Sequence, residues 1–518
     1  MIWLITKKDF LLNLISARFI IGFILCLVVI PFTLIVGVDR YKNQMRVYQV
    51  YEKEVEDAKK DIRVYSQVRP EIVTPPEALS IFSRGISDNT GNRVKIQLGE
   101  YPLFPQGHSA TRDNPLLNAF FSIDFATVIA ILMSLLALVF SYDIFTRERE
   151  EGTLKASLAN KLSRTAFLTG KLLGILITLV PILLFCFLLG ILVIMLSPAV
   201  QFSADEWGSV ALLFLSSLLY MAVFILLGMF ISSKSQRSST SIVVSLLCWI
   251  WFLFLMPNIA SYLSQSFVKT EMYDNVQFAL KELDDQFWKD YGEKRETLTR
   301  EFNNPDFSYM NSQSSSDGTE IYLGCERVIF EYHRVLNNWK EPVRIDYADK
   351  KWAIQKKYLD DLIYQEKVRE YIAWLSPAGI FEQIADLQCN TSHASFLRYM
   401  ERIRVYRESL IRYFRDRKMF ESYSYFTPMP ESAFPEKIDW DTIWNSWRET
   451  GKFPDIPEEW QINFYQSLNL DDVPVFEYRG ATVASAMNAS LGRMAGMLAL
   501  CVVLLGATVV SFIKYDVR

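Results

Sequence analysis

The sequence predicts a mainly α-helical polytopic membrane protein, with six spanning helices and a large, mostly helical domain outside the bilayer. Three observations carry that reading. Apolar runs recur that are long enough, at about 20 residues, to cross roughly 30 Å of hydrocarbon as helices. Between them lie two long polar insertions with apolar residues at three- and four-residue spacing. Lysine and arginine gather in the short connections of one side, which sets the expected orientation.

Residues 1–18 form the first element. Trp3, Leu4, Phe10, Leu11, Leu14 and Ile15 share one helical face and Thr6, Asp9 and Asn13 the other. This is the pattern of a cytoplasmic helix lying in the membrane interface, with Lys7 and Lys8 reaching to water at its edges. Packing of the apolar face on protein is the alternative. The first spanning helix falls at 19–38. Lys7, Lys8 and Arg18 precede it as in a signal peptide, but Val36-Gly37-Val38-Asp39 offers no small-residue cleavage site, so the segment reads as an uncleaved anchor.

The insertion at 39–120 continues helical through Tyr48, Tyr51, Val55 and Ala58, breaks at Pro70, Pro75 and Pro76, and reaches strand-like Arg93-Val94-Lys95-Ile96. Spanning helices at 121–142 and 168–195 flank a charged connection at 143–167, and two more follow at 210–231 and 241–262. The second insertion, 263–485, is helical in pattern: Met272, Val276, Leu280, Leu283, Phe287 and Tyr291 recur on one face, as do Phe396, Met400, Ile403 and Leu410. Within it, Arg398, Arg402, Arg404, Arg407, Arg412, Arg415 and Arg417 alternate with Glu401, Glu408 and Asp416, which favours a solvated helix face over an anion site. The sixth span is 494–513.

Arg147, Arg149, Lys155, Lys161 and Arg164 follow the second span, Lys234 and Arg237 the fourth, and Lys514 and Arg518 the sixth. The connection from Ser197 to Gly208 has Asp205 and Glu206 but no Lys or Arg. Both termini are therefore expected in the cytoplasm and both insertions outside it.

Lys+Arg number 54 and Asp+Glu 58, a balance with no basic field for nucleic acid. Cys26, Cys186, Cys248 and Cys501 lie in apolar runs; Cys325 and Cys389 lie in polar sequence, where a bridge and free thiols are both open. The chain has no Gly-rich phosphate loop ending in Lys-Ser or Lys-Thr, so no nucleotide is expected on it directly. His108, His333 and His393 are scattered without the spacing of a zinc site, and no metal or catalytic residue is assigned. Asp124, Asp143 and Lys171 sit at span ends, leaving no mid-membrane ionisable relay. Energy for any movement across the membrane must come from an attached motor.

The most specific segment is Tyr142 to Lys171, YDIFTREREEGTLKASLANKLSRTAFLTGK. It resembles the signature of ABC-2 type permeases, in which acidic residues, Gly-Thr-Leu, a short helix, Ser-Arg and then Gly-Lys lead into the third span. The matching positions are Glu150, Glu151, Gly152, Thr153, Leu154, Ser163, Arg164, Gly170 and Lys171; Lys161 stands where many members have proline. Pro75-Pro76-Glu77-Ala78-Leu79-Ser80, Leu375-Ser376-Pro377-Ala378, Asp472-Val473-Pro474 and the chain's closing residues resemble the branch of that family with large outer insertions, although each proline also suits a plain turn.

The resemblance implies a permease subunit of an ATP-driven exporter in a bacterial inner membrane. Two permease subunits, identical or homologous, would pair above two ABC ATPase subunits that bind ATP and Mg. A short helix tethered at both ends to spanning helices can act as a lever, so residues 143–167 are expected to couple to the ATPase. Arg147, Arg149, Glu150 and Glu151 would supply charged contacts, and Gly152 the tight reversal. An ordinary juxtamembrane loop is the alternative at that site. For the whole chain, the alternative is a membrane scaffold or sensor whose outer domain binds an envelope protein.

Overall fold

A computed structural model describes residues 2–62, 65–87, 91–102, 123–154, 163–305, 312–314, 320–322, 326–421, 436–437, 439–451, 468–478 and 480–513. The expectations placed on His108, Lys155, Lys161, Cys325, Lys514 and Arg518 lie outside the described residues. Among the described residues six helices are long and apolar enough to cross a membrane: Ala17–Lys60, Phe125–Glu150, Arg164–Met195, Ala204–Lys234, Ser238–Phe267 and Val483–Ile513.

In chain order the helices are α1 (Ile2–Ile15), α2 (Ala17–Lys60), α3 (Phe125–Ser141), α4 (Thr146–Glu150), α5 (Arg164–Met195), α6 (Ala204–Lys234) and α7 (Ser238–Ile250). A π turn at Trp251–Leu255 carries α7 into α8 (Met256–Phe267). The second insertion supplies α9 (Tyr273–Glu301), α10 (Arg327–Ala373), α11 (Pro377–Gln388), α12 (His393–Asp416) and α13 (Trp440–Thr450), and α14 (Val483–Ile513) is the sixth span.

Side-chain caps set several boundaries. Ser16, in extended conformation between α1 and α2, accepts from the Phe19 N–H and starts the first span afresh. Asp124 accepts from Thr127 N and from Arg84 N, each at 2.8 Å, so one carboxylate both caps α3 and holds the first insertion to it. Ser203 and Glu206 form a capping box at the start of α6.

Helix α6 is the centre of the bundle, with Tyr220, Met221, Phe224 and Ile225 fully buried and with α3, α11 and α14 packed around it. Lipid gives helices little hydrophobic reason to associate, so small residues that let backbones approach take over. A Cβ on Gly228 would lie 1.9 Å from Ser141 Oγ, which places α6 directly against α3. Helix α11, although it belongs to the second insertion by sequence, packs among the spanning helices. Phe381 stacks on Tyr220 at 4.6 Å, and Gln388 donates to Ser216 Oγ at 2.8 Å.

Both insertions build the non-membrane region. Strands β1 (Glu71–Val73) and β2 (Arg93–Lys95) pair antiparallel with Ile72 opposite Val94, and that apolar face meets Met400, Ile403, Leu410 and Phe414 of α12. The expectation of a solvated arginine face on α12 fails at two positions. Arg407 is fully buried over the Tyr101 ring at 4.0 Å and donates to the carbonyls of Gln97 and Leu98, and Arg404 is buried over Trp352 at 4.3 Å. Delocalised guanidinium planes are weakly hydrated and stack on aromatic rings, which lets Arg407 clamp the first insertion and Arg404 brace α12 against α10.

Helices α9 and α10 form an antiparallel hairpin, tied by Tyr347 donating to Asp290 at 2.6 Å and closed near its tip by Leu298, Tyr332 and Leu336. Burial, with Arg295 adding to it, pushes His333 from 6.5 down to about 4. A folded pKa below the unfolded one means stability is full above the unfolded value and is lost as pH falls toward the folded one. Protection of the amides of residues 327–336, corrected for intrinsic exchange, is expected to drop roughly tenfold from pH 7 to pH 5. In His333→Gln it should stay level, and an unchanged pH response in that variant would clear His333 of the effect. Cys389 is a buried free thiol.

Candidate functional site

The charged connection after the second span folds back against the bundle. Helix α3 ends at Ser141, and α4 follows after one turn, seated on the turn between α6 and α7. Phe145 N and Thr146 N point at Ser232 Oγ, at 3.1 and 3.4 Å, and Thr146 Oγ1 lies 3.0 Å from Ser238 Oγ.

The charges of this connection meet helix ends of opposite polarity. The last carbonyls of a helix lack in-helix donors and carry partial negative charge, while the first N–H groups carry partial positive charge. Arg149 donates from Nη1 to Ser235 O at 2.6 Å and from Nη2 to Ser233 O at 2.9 Å, closing the end of α6. Glu150 accepts from Ser238 N at 2.9 Å and Ser238 Oγ at 2.8 Å, and so caps α7, whose own N-cap residue Arg237 makes no side-chain cap. Arg164 repeats the device on α14, donating to Phe512 O at 3.2 Å and Ile513 O at 2.5 Å. Beneath it Phe145, Phe167 and Phe512 stack, with Phe145 and Phe512 centroids 4.8 Å apart.

Two residues named from the sequence are placed as helix punctuation. Gly152 has φ +69°, a left-handed conformation that suits glycine, and its N–H bonds Arg149 O at 3.1 Å. Ser163 caps α5 by accepting from Ala166 N at 3.2 Å. Leu154 is buried, whereas Arg147, Glu151, Gly152 and Thr153 are exposed, Arg147 and Glu151 pairing with each other at 2.9 Å.

Lys171 does not reach water. It is 6% exposed, with Nζ 3.1 Å from Asp9 Oδ1 and 2.5 Å from Glu148 Oε1, so one ammonium joins α1, α4 and α5. Burial, partly offset by Lys171, raises Asp9 above the ordinary aspartate range. Among the described residues Asp9 Oδ2 and Glu148 Oε2 are buried without a hydrogen-bond partner, so each carboxylate depends on the one ammonium they share. Helix α1 lies along α5 by its polar face: Thr6 Oγ1 donates to Gly170 O at 3.1 Å, and a Cβ on Gly174 would come within 2.9 Å of Asp9 Cβ. Its other side is bare, with Trp3 at 68% and Ile15 at 78% exposure; Leu11 and Leu14 are also exposed and Phe10 is half-buried.

Sequence reasoning did not find Asp9 and Glu148 as partners of Lys171, nor the serines of the α6–α7 turn that receive α4. The run Ser232, Ser233, Ser235, Ser238 and Ser239 at a span boundary was the available signal. Among the described residues no group of three His, Cys, Asp or Glu side chains is placed to hold a metal ion.

Six apolar helices of membrane length, joined at one end by a charged turn and at the other by a helical domain, make this a multi-pass membrane protein of the permease class. The chain belongs to the ABC-2 family transporter proteins, whose family model matches residues 3–429, the first five spans and most of the second insertion. Comparison with curated proteins finds no match.

Proposed function

We propose that this chain is the permease subunit of an ATP-driven exporter of the ABC-2 type, and that separate ATPase subunits dock on the reversal at 147–154. The carrying observation is the double character of that reversal. Arg149 and Glu150 fasten it to the ends of the fourth and fifth spans, while Arg147, Glu151, Gly152 and Thr153 face outward. A force applied to the exposed side therefore reaches spanning helices through hydrogen bonds rather than through slack chain. ATP and Mg belong to the partner ATPase, a second permease copy or homologue completes the assembly, and both termini lie on the cytoplasmic side of the inner membrane. The bare face of α1 lies in the lipid interface, where Trp3 and the exposed leucines suit the headgroup boundary.

The test uses variants confined to the exposed side. Glu151→Lys combined with Thr153→Asp is expected to lower pull-down of a co-expressed ATPase at least about tenfold, a loss of roughly 1.4 kcal/mol. Gly152→Val, which forces a branched residue to positive φ, should impair stimulated ATP hydrolysis even where binding survives. Glu296→Lys on the exposed surface of α9 is the control. Full ATPase binding and stimulated hydrolysis in the inner variants would reduce the reversal to a connector.

A further inference from the structure

Ser376, in the motif Leu375-Ser376-Pro377-Ala378, serves two helices at once. It is fully buried at the turn between α10 and α11. Its Oγ accepts from Ala378 N at 3.2 Å and Gly379 N at 3.3 Å, capping α11, and donates its proton to the carbonyl of Phe252 at 2.5 Å, 124 residues away.

Phe252 lies in the π turn of the fifth span, where Met256 N donates to Trp251 O, five residues back. In that register the Phe252 carbonyl would be served by the N–H of residue 257. Residue 257 is proline and has none. An unserved backbone group at membrane depth costs several kcal/mol, so interrupted spanning helices need a donor from elsewhere. Here the donor is a hydroxyl from the second insertion.

The block that carries Ser376 is itself fixed. Gln383 of α11 accepts from Trp374 Nε1 at 3.2 Å and Arg493 Nε at 2.8 Å, and donates to Glu370 O at 3.1 Å; Arg493 also pairs with Glu370 at 2.6 Å. The end of α10, α11 and the start of α14 are thus one body. The kink of α7–α8 packs against this body, α8 along α10 and the π turn against α11, and Gln365 Nε2 donates to Val268 O at 3.1 Å where α8 ends; the Ser376 hydroxyl supplies the hydrogen bond to the open Phe252 carbonyl at the π turn itself.

We propose that Ser376 is a latch through which the non-membrane domain sets the angle of the fifth span at its π turn, making displacement of α10–α11 and bending of α7–α8 one motion. Ser376 is then a positioning residue for transport. The latch itself stands on the geometry above, and only its consequence for ATP turnover rests on the function proposed here.

The full chain in lipid nanodiscs, with native cysteines replaced, is labelled with spin probes at Leu247→Cys and Tyr262→Cys, exposed positions on either side of the π turn. Ser376→Thr keeps both roles and should give the parent's narrow distance distribution. Ser376→Gly removes the donor while leaving an acceptable N-cap, since glycine there costs only about a few tenths of a kcal/mol, and should broaden the distribution or shift it by about 3 Å, two rises of an α-helix. Pro257→Ala restores a peptide N–H to Phe252, so Ser376→Gly in that background should be narrow again. An unchanged distribution in Ser376→Gly, or one that stays broad in the double variant, overturns the latch.

If Ser376→Gly fails to reach the membrane, recovery in the Pro257→Ala background supports the proposal, and failure in both backgrounds overturns it. Stimulated ATP hydrolysis of the assembled transporter should fall about tenfold in Ser376→Gly and return in the double variant, a change of roughly 1.4 kcal/mol in the barrier. Normal stimulation beside a broadened hinge overturns the latch's part in transport. A parent chain that stimulates no ATPase at all removes the exporter reading instead, and the distances still decide the latch.

Discussion

Lys171→Met is expected to destabilise the chain by about 3–5 kcal/mol, because it leaves Asp9 and Glu148 as buried carboxylates without their common cation. The effect should appear first as detachment of α1, since Asp9 on its polar face and Glu148 on α4 would then meet beside α5 with no cation between them. Two measurements read it: the melting temperature in detergent, and the reactivity of a cysteine placed at Thr6, which is buried in the parent. Removing the charge from all three residues, as Lys171→Met with Asp9→Asn and Glu148→Gln, should recover much of the loss, since a neutral group of similar volume is often tolerated where a lone charge is not. Equal instability in the single and triple variants would show that lysine acts through shape rather than charge.

Gly85→Ala is expected to be comparably severe at the other end of the molecule, at about 3 kcal/mol. Gly85 has φ +48°, and a Cβ there would fall 2.2 Å from the Thr391 carbonyl oxygen, a backbone atom that cannot rotate away. The next residue, Ile86, donates its N–H to that same carbonyl at 3.0 Å, and Ser83 donates to Asp386 at 2.7 Å, so the clash falls on the joint between the first insertion and α11. Limited proteolysis should then cut the first insertion while the spanning helices remain intact. Gly292→Ala is the matched control: its Cβ meets nothing within 4 Å, and alanine in the middle of α9 should stabilise by up to about 1 kcal/mol. Resistance to protease in Gly85→Ala equal to the parent's would refute the strain argument.

The spans were legible because a bilayer demands long apolar runs and little else in sequence looks like them. Their ends were less so. The run beginning at Met494 marks only part of α14, which starts at Val483; Arg493, which reads as a terminus, is taken up inside the helix by Glu370 and Gln383. Helix α11 gave no membrane signal, since Glu382, Gln383, Asp386 and Gln388 make it look like surface. Its polarity at Gln383, Asp386 and Gln388 is matched by Arg493, Ser83 and Ser216, partners 110, 303 and 172 residues away that no local pattern can supply. At the candidate site the reversal at Gly152 was readable from glycine chemistry. The use of Arg149 and Glu150 to close helix ends, and of Lys171 as a buried bridge, was not, because a charged residue at a membrane edge is by default assigned to water, and helix ends that need closing are visible only after folding.

The way α1 is held has a consequence for the order in which the protein is made. Thr6, Asp9 and Asn13 find their partners at Gly170, Lys171 and Thr178, separations of 164, 162 and 165 residues. While the ribosome is still translating the first two spans, none of those partners exists. The N-terminal helix must spend that interval with its polar side facing water and its apolar side on lipid, and it docks only once the third span has emerged. A segment synthesised well before the third span is thus among the later ones to find its place.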